Sequence, residues 1–243
     1  MSGLAEDAEL AARLARAGGQ IALGVRESGA FTGRALGDAG DQVVNAFLTR
    51  ALREQRPRDG LLSEESRDTA ERLEKARCWI VDPIDGTNEY SEGREDWAIH
   101  VALSVDGEAV AGAVYLPARN LLLRSDQPRD LPPLPPRPRM VVSRSRPAAE
   151  TARVAEALGA ETYPLGSAGA KAMAVVLGEA EVYLHSGGQH EWDSCAPAAV
   201  ALAHGLHCSR LDGSPLRYNK PDTRLPDLLI CRQELAERVL AAI

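Results

Sequence analysis

Four short stretches hold the residues that could do chemistry: Asp38 to Asp41, Ser63-Glu64-Glu65-Ser66, Asp82-Pro83-Ile84-Asp85-Gly86-Thr87 and Glu191-Trp192-Asp193-Ser194. In the third, Asp82 and Asp85 follow the apolar run Cys78-Trp79-Ile80-Val81 at a spacing that plain strand alternation cannot turn to one side. Pro83 fixes a bend and Gly86 permits a tight one, so the two carboxylates can converge. Converging carboxylates repel unless a cation lies between them. Oxygen ligands with no His or Cys nearby suit Mg²⁺. Alone, the pair reads as a capped turn with two solvated acids; the longer string, the buried strand before it and the other acidic stretches favour the metal instead. Glu64 alone reads as surface, Asp193 alone as a helix cap, and Asp41 alone as the cap of the second helix.

The elements that must position these residues follow from periodicity. Leu10, Leu14, Ala17, Ile21 and Val25 recur at helical steps within residues 4–26, and Val44, Phe47, Leu48, Ala51 and Leu52 mark a second helix over 41–55, ended by Pro57. Residues 78–81, 98–105 and 109–116 read as strands, the last two joined by a hairpin at Asp106-Gly107. Six prolines between Asp126 and Pro138 exclude helix and central strand, giving a surface linker that serves as a spacer or as a docking ligand. The second half then alternates: strands at 140–143, 162–165, 181–185 and 228–230, helices at 148–158, 170–177, 193–204 and from 234. The chain is therefore α/β, with an α+β half (1–125), the linker (126–138) and an α/β half (139–243).

A formal net charge of −7 argues against a nucleic-acid polymer as partner, and an acidic protein that binds an anionic ester needs bound metal to supply cations. Cys78, Cys195, Cys208 and Cys231 form no CxxC pair, which leaves zinc and dithiol redox chemistry unsupported and reads as reduced thiols. No run is long and apolar enough to span a bilayer, and the acidic N-terminus lacks a secretory start, so a cytoplasmic location is expected. The histidines fit no Ser-His-Asp arrangement; His190, beside the acids, is the one to watch.

Taken together, Glu64-Glu65-Ser66, Asp82-Pro83-Ile84-Asp85-Gly86-Thr87, and Trp192-Asp193-Ser194 before an Ala-rich helix resemble the inositol monophosphatase superfamily of Mg²⁺-dependent, lithium-sensitive phosphatases. The motifs fall in the expected order from Asp38 to Ala203. Within it, Asp85 to Tyr90, Val141 to Arg146, Gly166 to Lys171 and Gly213 to Asn219 look similar to the bacterial 3′-phosphoadenosine-5′-phosphate phosphatases of sulfate assimilation. Asn88 departs from that pattern, which has Lys or Arg there, and so removes a basic contact near the phosphate.

The resemblance implies a layered α/β/α/β/α sandwich and a homodimer. It implies two or three Mg²⁺ held by Glu64, Asp82, the Ile84 carbonyl, Asp85 and Asp193, with Asp41 and Thr87 orienting and deprotonating the attacking water. The amides of Gly86 and Thr87, with Asn88, would cradle the phosphate. Ser145 and Arg146 follow a strand, where Arg can clamp a second phosphate. Ser167, Gly169 and Lys171 open a helix whose small residues permit close approach by a base or ribose, and Arg217, near the tail, is a further substrate contact, although Lys171 reads equally as a solvated helix residue and Arg217 also reads as surface. The expected activity is hydrolysis of 3′-phosphoadenosine 5′-phosphate, with its sulfated precursor as a further substrate; inositol-1-phosphate or fructose-1,6-bisphosphate is the alternative, and an idle nucleotide sensor the minor one.

Overall fold

The computed structural model describes residues 2–243, and two five-stranded sheets organise them. The first sheet runs β1 (Gly60–Ser63), β2 (Arg77–Asp85), β3 (Ala98–Val105), β4 (Glu108–Leu116) and β5 (Leu121–Arg124) in chain order, parallel between β1 and β2 and antiparallel thereafter. The second contains β6 (Arg139–Ser143), β7 (Glu161–Leu165), β8 (Val182–His190), β9 (His207–Ser209) and β10 (Arg224–Cys231), in the order β7-β6-β8-β10-β9.

Helices fill the spaces around these sheets. α1 (Ser2–Glu27) and α2 (Gly33–Gln55) cover the outer face of the first sheet through a cluster that includes Leu48, Trp79, Val81, Ile99 and Tyr115. The short α3 (Thr87–Ser91) follows β2, and α4 (Thr151–Leu158) and α7 (Ala236–Ala241) cover the outer face of the second sheet. α5 (Ala168–Val176) and α6 (Glu191–Ala203) lie between the sheets, where Met173, Cys195 and Val200 share one cluster with Val114 and Tyr183. The layers are thus α/β/α/β/α, as expected. The proline-rich stretch crosses from one sheet to the other without regular structure. It is tied down: Leu131 and Leu134 pack on the core, and Arg232 donates to the Pro132 carbonyl at 2.7 Å.

Three local differences from the sequence expectation shape the site. The buried stripe of α1 consists largely of small residues (Ala8, Ala11, Ala12, Ala15, Ala22), while Ala17, Ile21 and Val25 are only partly covered. α2 begins two turns before Asp41, at Gly33, so Asp41 lies inside the helix and caps nothing. Gly37 and Gly40 hid this start because glycine is a poor helix former. Their value is contact: a Cβ on Gly37 would meet Thr87 Cγ2 at 2.8 Å, and one on Gly40 would meet Tyr90 at 2.7 Å. Finally, β2 continues through Asp85 with a bulge between Asp82 and Asp85. The extra residue reverses the alternation so that both aspartates reach the same cavity, and Pro83 sits where the missing N–H breaks no ladder, since β1 has ended at Ser63 opposite Val81.

Candidate active site

A cavity of about 580 Å³ opens between the ends of the two sheets. It is lined by Glu64, Asp82, Ile84, Asp85 and Asp193, by Gly86, Thr87 and Asn88 of the turn after β2, and by Ser145, Arg146, Ser167, Lys171 and His185. Carboxylate oxygens of Asp82, Asp85 and Asp193 come within 4.8 Å of one another. Asp82 Oδ1 is buried without a hydrogen-bond partner, as is Asp41 Oδ1. An orphaned buried carboxylate oxygen beside two further carboxylates fits a hard cation, and Ile84 and Glu64 offer further oxygen donors on the same cavity.

Asp193, Asp41 and Asp85 are positioned by identifiable partners. Asp193 is the third residue of α6, where its Oδ2 accepts from the His190 amide at 2.6 Å; His190, not Asp193, occupies the cap. The His190 ring stacks on Trp192 at 4.5 Å between centroids and does not line the cavity. Gly86 turns the chain at φ 88°, a left-handed conformation that favours glycine, and puts Thr87 at the first position of α3. Thr87 Oγ1 then lies 3.0 Å from both Asp41 Oδ2 and the Ile84 carbonyl. A hydroxyl has one proton, so it donates to one of these at a time and can hand its lone pairs to a water in the cavity.

Asp85 is held most tightly. It accepts from the amides of Ala168 (3.1 Å) and Gly169 (2.6 Å), and His100 Nε2 lies 3.3 Å away. The other ring nitrogen, Nδ1, donates to the Trp192 carbonyl at 3.0 Å, which links β3 to α6. His100 was not singled out in the sequence because nothing local marks it; Asp82↔His100 pairing across the sheet creates the neighbourhood. The same interaction changes the role of Gly169, whose amide is turned to Asp85 and whose missing Cβ leaves room for the His100 ring.

The start of α5 therefore offers no free amides to a ligand. Gly166 N donates to Asp96 Oδ2, Ser167 N to the Asp96 carbonyl, and Ala170 N to Ser167 Oγ. Lys171 is no solvated helix residue: it is buried, its ammonium bonds the Gly166 and Ser167 carbonyls, and burial lowers it to about 8. Arg217 lies outside the cavity, exposed and paired with Glu108 at 2.6 Å. Arg144, Glu92 and Gln189 line the cavity without having been assigned a role in the sequence, and Glu89, of the Asp85 to Tyr90 string that carries the resemblance, lines it too.

Without metal, these carboxyls cannot all be charged. Burial first, then Glu64, holds Asp82 well above the usual carboxylate range. Burial and Asp193 push Glu64 up to about 7, burial and Asp85 push Asp193 up to about 6, and burial, opposed by the Thr87 hydroxyl, takes Asp41 to about 8. Asp85 goes the other way: burial would raise it, but the His100 ring, Lys171 and the Gly169 amide hold it below its ordinary value.

A pH dependence follows. Carboxyls raised in the fold stabilise it most below their unfolded values, and that contribution is lost as pH rises through about 6 to about 8. A divalent cation takes the ionised groups and displaces protons, so it binds more tightly over the same window. In thermal unfolding, the gap between Mg²⁺-saturated and EDTA-treated protein is expected to widen from pH 6 to pH 8; a constant gap would contradict this charge distribution.

The comparisons with known proteins agree with this geometry. The model of the inositol monophosphatase family matches residues 4–129 and 138–243. A 3′-phosphoadenosine 5′-phosphate phosphatase of Mycobacterium leprae is 50% identical, over 98% of this chain and 93% of that one. The 3′(2′),5′-bisphosphate nucleotidase CysQ of Escherichia coli K12 is 31% identical, over 77% and 81%. Among solved structures, CysQ from Bacteroides thetaiotaomicron superposes with a TM-score of 0.82 at 24% identity, covering 94% of this chain and 97% of that one. No described helix is long and apolar enough to cross a membrane.

Proposed function

This chain belongs to the inositol monophosphatase family, and from that premise we propose that it hydrolyses 3′-phosphoadenosine 5′-phosphate to AMP and inorganic phosphate with Mg²⁺ as cofactor and Li⁺ as inhibitor. One observation carries the proposal: a single cavity sets a carboxylate cluster against Arg146, whose guanidinium has no ion pair among the described residues. The first suits a metal-assisted monoester hydrolysis, the second a substrate with another anionic group. The identity to the mycobacterial 3′-phosphoadenosine 5′-phosphate phosphatase supports the same substrate.

Glu64, Asp82, Asp85, Asp193 and the Ile84 carbonyl would hold Mg²⁺, which supplies charge neutralisation for the ester, a lowered pKa for water and stabilisation of the leaving oxygen. Asp41, through Thr87, orients the attacking water and takes its proton. The turn at Gly86 and Thr87 borders the phosphate, and Asn88 offers a neutral polar contact there. Ser145 and Arg146 receive the distal phosphate, while Ser167 and Ala168 form the wall along the sugar. In this scheme residues 1–125 carry most of the metal site and residues 139–243 the recognition wall, with Asp193 crossing between the roles. A homodimer is part of the same proposal.

The test is phosphate release from 3′-phosphoadenosine 5′-phosphate, inositol-1-phosphate and fructose-1,6-bisphosphate in parallel. The adenosine bisphosphate is expected to lead in kcat/KM by at least about a hundredfold, or 2.7 kcal/mol. A lead by either sugar ester would retain the chemistry and overturn the substrate.

A further inference from the structure

Arg144 and Glu89 meet across the mouth of the cavity, one from the segment after β6 and the other from α3. Arg144 Nη2 lies 2.6 Å from Glu89 Oε1 and 3.1 Å from Glu92 Oε2. Glu92 is exposed, whereas Glu89 is only 8% exposed although it lines the cavity. Its carboxylate has little room to retreat. A Cβ on Gly166 would overlap its carboxyl group, and one on Gly86 would come within 3.3 Å of Oε2. Glu89 is thus a fixed negative charge on the wall of a cavity that, in the function proposed above, takes a substrate bearing two phosphates. It belongs to neither the metal cluster nor the dyad of Asp41 and Thr87.

We propose that Arg144 determines specificity by neutralising Glu89, so that the cavity admits esters with a second anionic group. Like charges brought together in such a site repel, and a paired carboxylate relieves that repulsion. Arg144 acts through Glu89 and needs no contact with the ligand; Arg146, which has no acidic partner among the described residues, is free for that contact. Asn88 makes the compensation more consequential, because that position supplies no positive charge to offset Glu89.

The inference rests on the proposed bisphosphate substrate, and a charge-rescue series separates the two. kcat/KM would be measured for 3′-phosphoadenosine 5′-phosphate and for adenosine 3′-monophosphate, which has the same base, sugar and ester but one anionic group fewer. Arg144→Gln is expected to lower the bisphosphate-to-monophosphate ratio by at least about tenfold, the equivalent of 1.4 kcal/mol. Arg144→Lys, which keeps the charge, should retain most of the ratio. Adding Glu89→Gln to Arg144→Gln should restore it, because the charge that needed neutralising is gone.

Loss of the ratio without rescue by Glu89→Gln would mean that Arg144 contacts the ligand directly and would overturn the inference, as would an unchanged ratio in Arg144→Gln. If Arg144→Gln does not fold, Glu89→Gln alone decides: the ratio holds or rises under charge compensation, and falls if Glu89 serves to hold Arg144 against the ligand. Wild-type protein that leaves the bisphosphate unhydrolysed would sink the proposed function instead.

Discussion

Asp85→Asn is expected to lower kcat by about 10³-fold or more, the loss of roughly 4 kcal/mol that accompanies removal of a charged oxygen from a metal that stabilises the transition state. Asp85 is one of three carboxylates within 4.8 Å, and it is the one whose charge the protein itself secures through His100, Lys171 and the amides of α5. The substitution also turns an amide donor toward at least one of the amides of Ala168 and Gly169, so α5 must shift where it borders the cavity. Phosphate release at saturating substrate, with Mg²⁺ titrated to excess, separates two explanations. A metal site predicts a deep loss that added Mg²⁺ does not recover. A carboxylate that only caps α5 predicts activity within about tenfold of wild type, because Asn still accepts one of the two hydrogen bonds.

The second large effect is expected at the dyad. Asp41→Asn should reduce kcat by about 10² to 10⁴, the usual range for loss of a positioned general base, and Thr87→Val should fall in the same range. Because Thr87 Oγ1 relays between Asp41 Oδ2 and the cavity, the double variant should be little worse than either single one. Stability should move differently from activity. Asp41 sits inside α2 with one oxygen unpartnered, and burial pushes it to about 8. Replacing it by a neutral amide removes an ionisation that weakens the metal-free fold at and above that pH. The metal-free Asp41→Asn protein should therefore unfold at or above the wild-type temperature at pH 8. Lower thermal stability together with unchanged kcat would show Asp41 to be a structural residue of the helix.

Much of this site was legible in the residues themselves, since its acids are clustered in short strings. Asp82, Asp85, Gly86 and Thr87 lie in one turn, and Asp193 falls in the first turn of a helix beside Trp192, so these strings carry the resemblance without knowledge of the fold. The α/β class was likewise legible from the change between strand and helix periods on either side of the prolines, whereas the layer order came only with the resemblance.

What the strings conceal is created by contacts distant along the chain. Asp41 reads as a cap because Gly37 and Gly40 look like a break, yet those glycines allow α2 to lie close against Thr87 and Tyr90. The bulge that turns Asp82 and Asp85 to one side depends on pairing with β3, and that pairing also places His100 beside Asp85. Arg217 shares a segment with residues of the resemblance, but its position on the surface leads it to Glu108. Gly169 and Lys171 appear available for a ligand until the fold commits them to Asp85 and to the carbonyls at the start of α5. The short strands β5 and β9 carry too few residues for a period to register.

The most direct test of the central claim is phosphate release from 3′-phosphoadenosine 5′-phosphate by the wild-type protein in EDTA, followed by titration with Mg²⁺. Carboxylates gathered around a cation predict that release stops in EDTA and returns as Mg²⁺ is added. Undiminished release in EDTA would show that the acids of this cavity hydrolyse the ester without a metal, and would contradict the mechanism built on them.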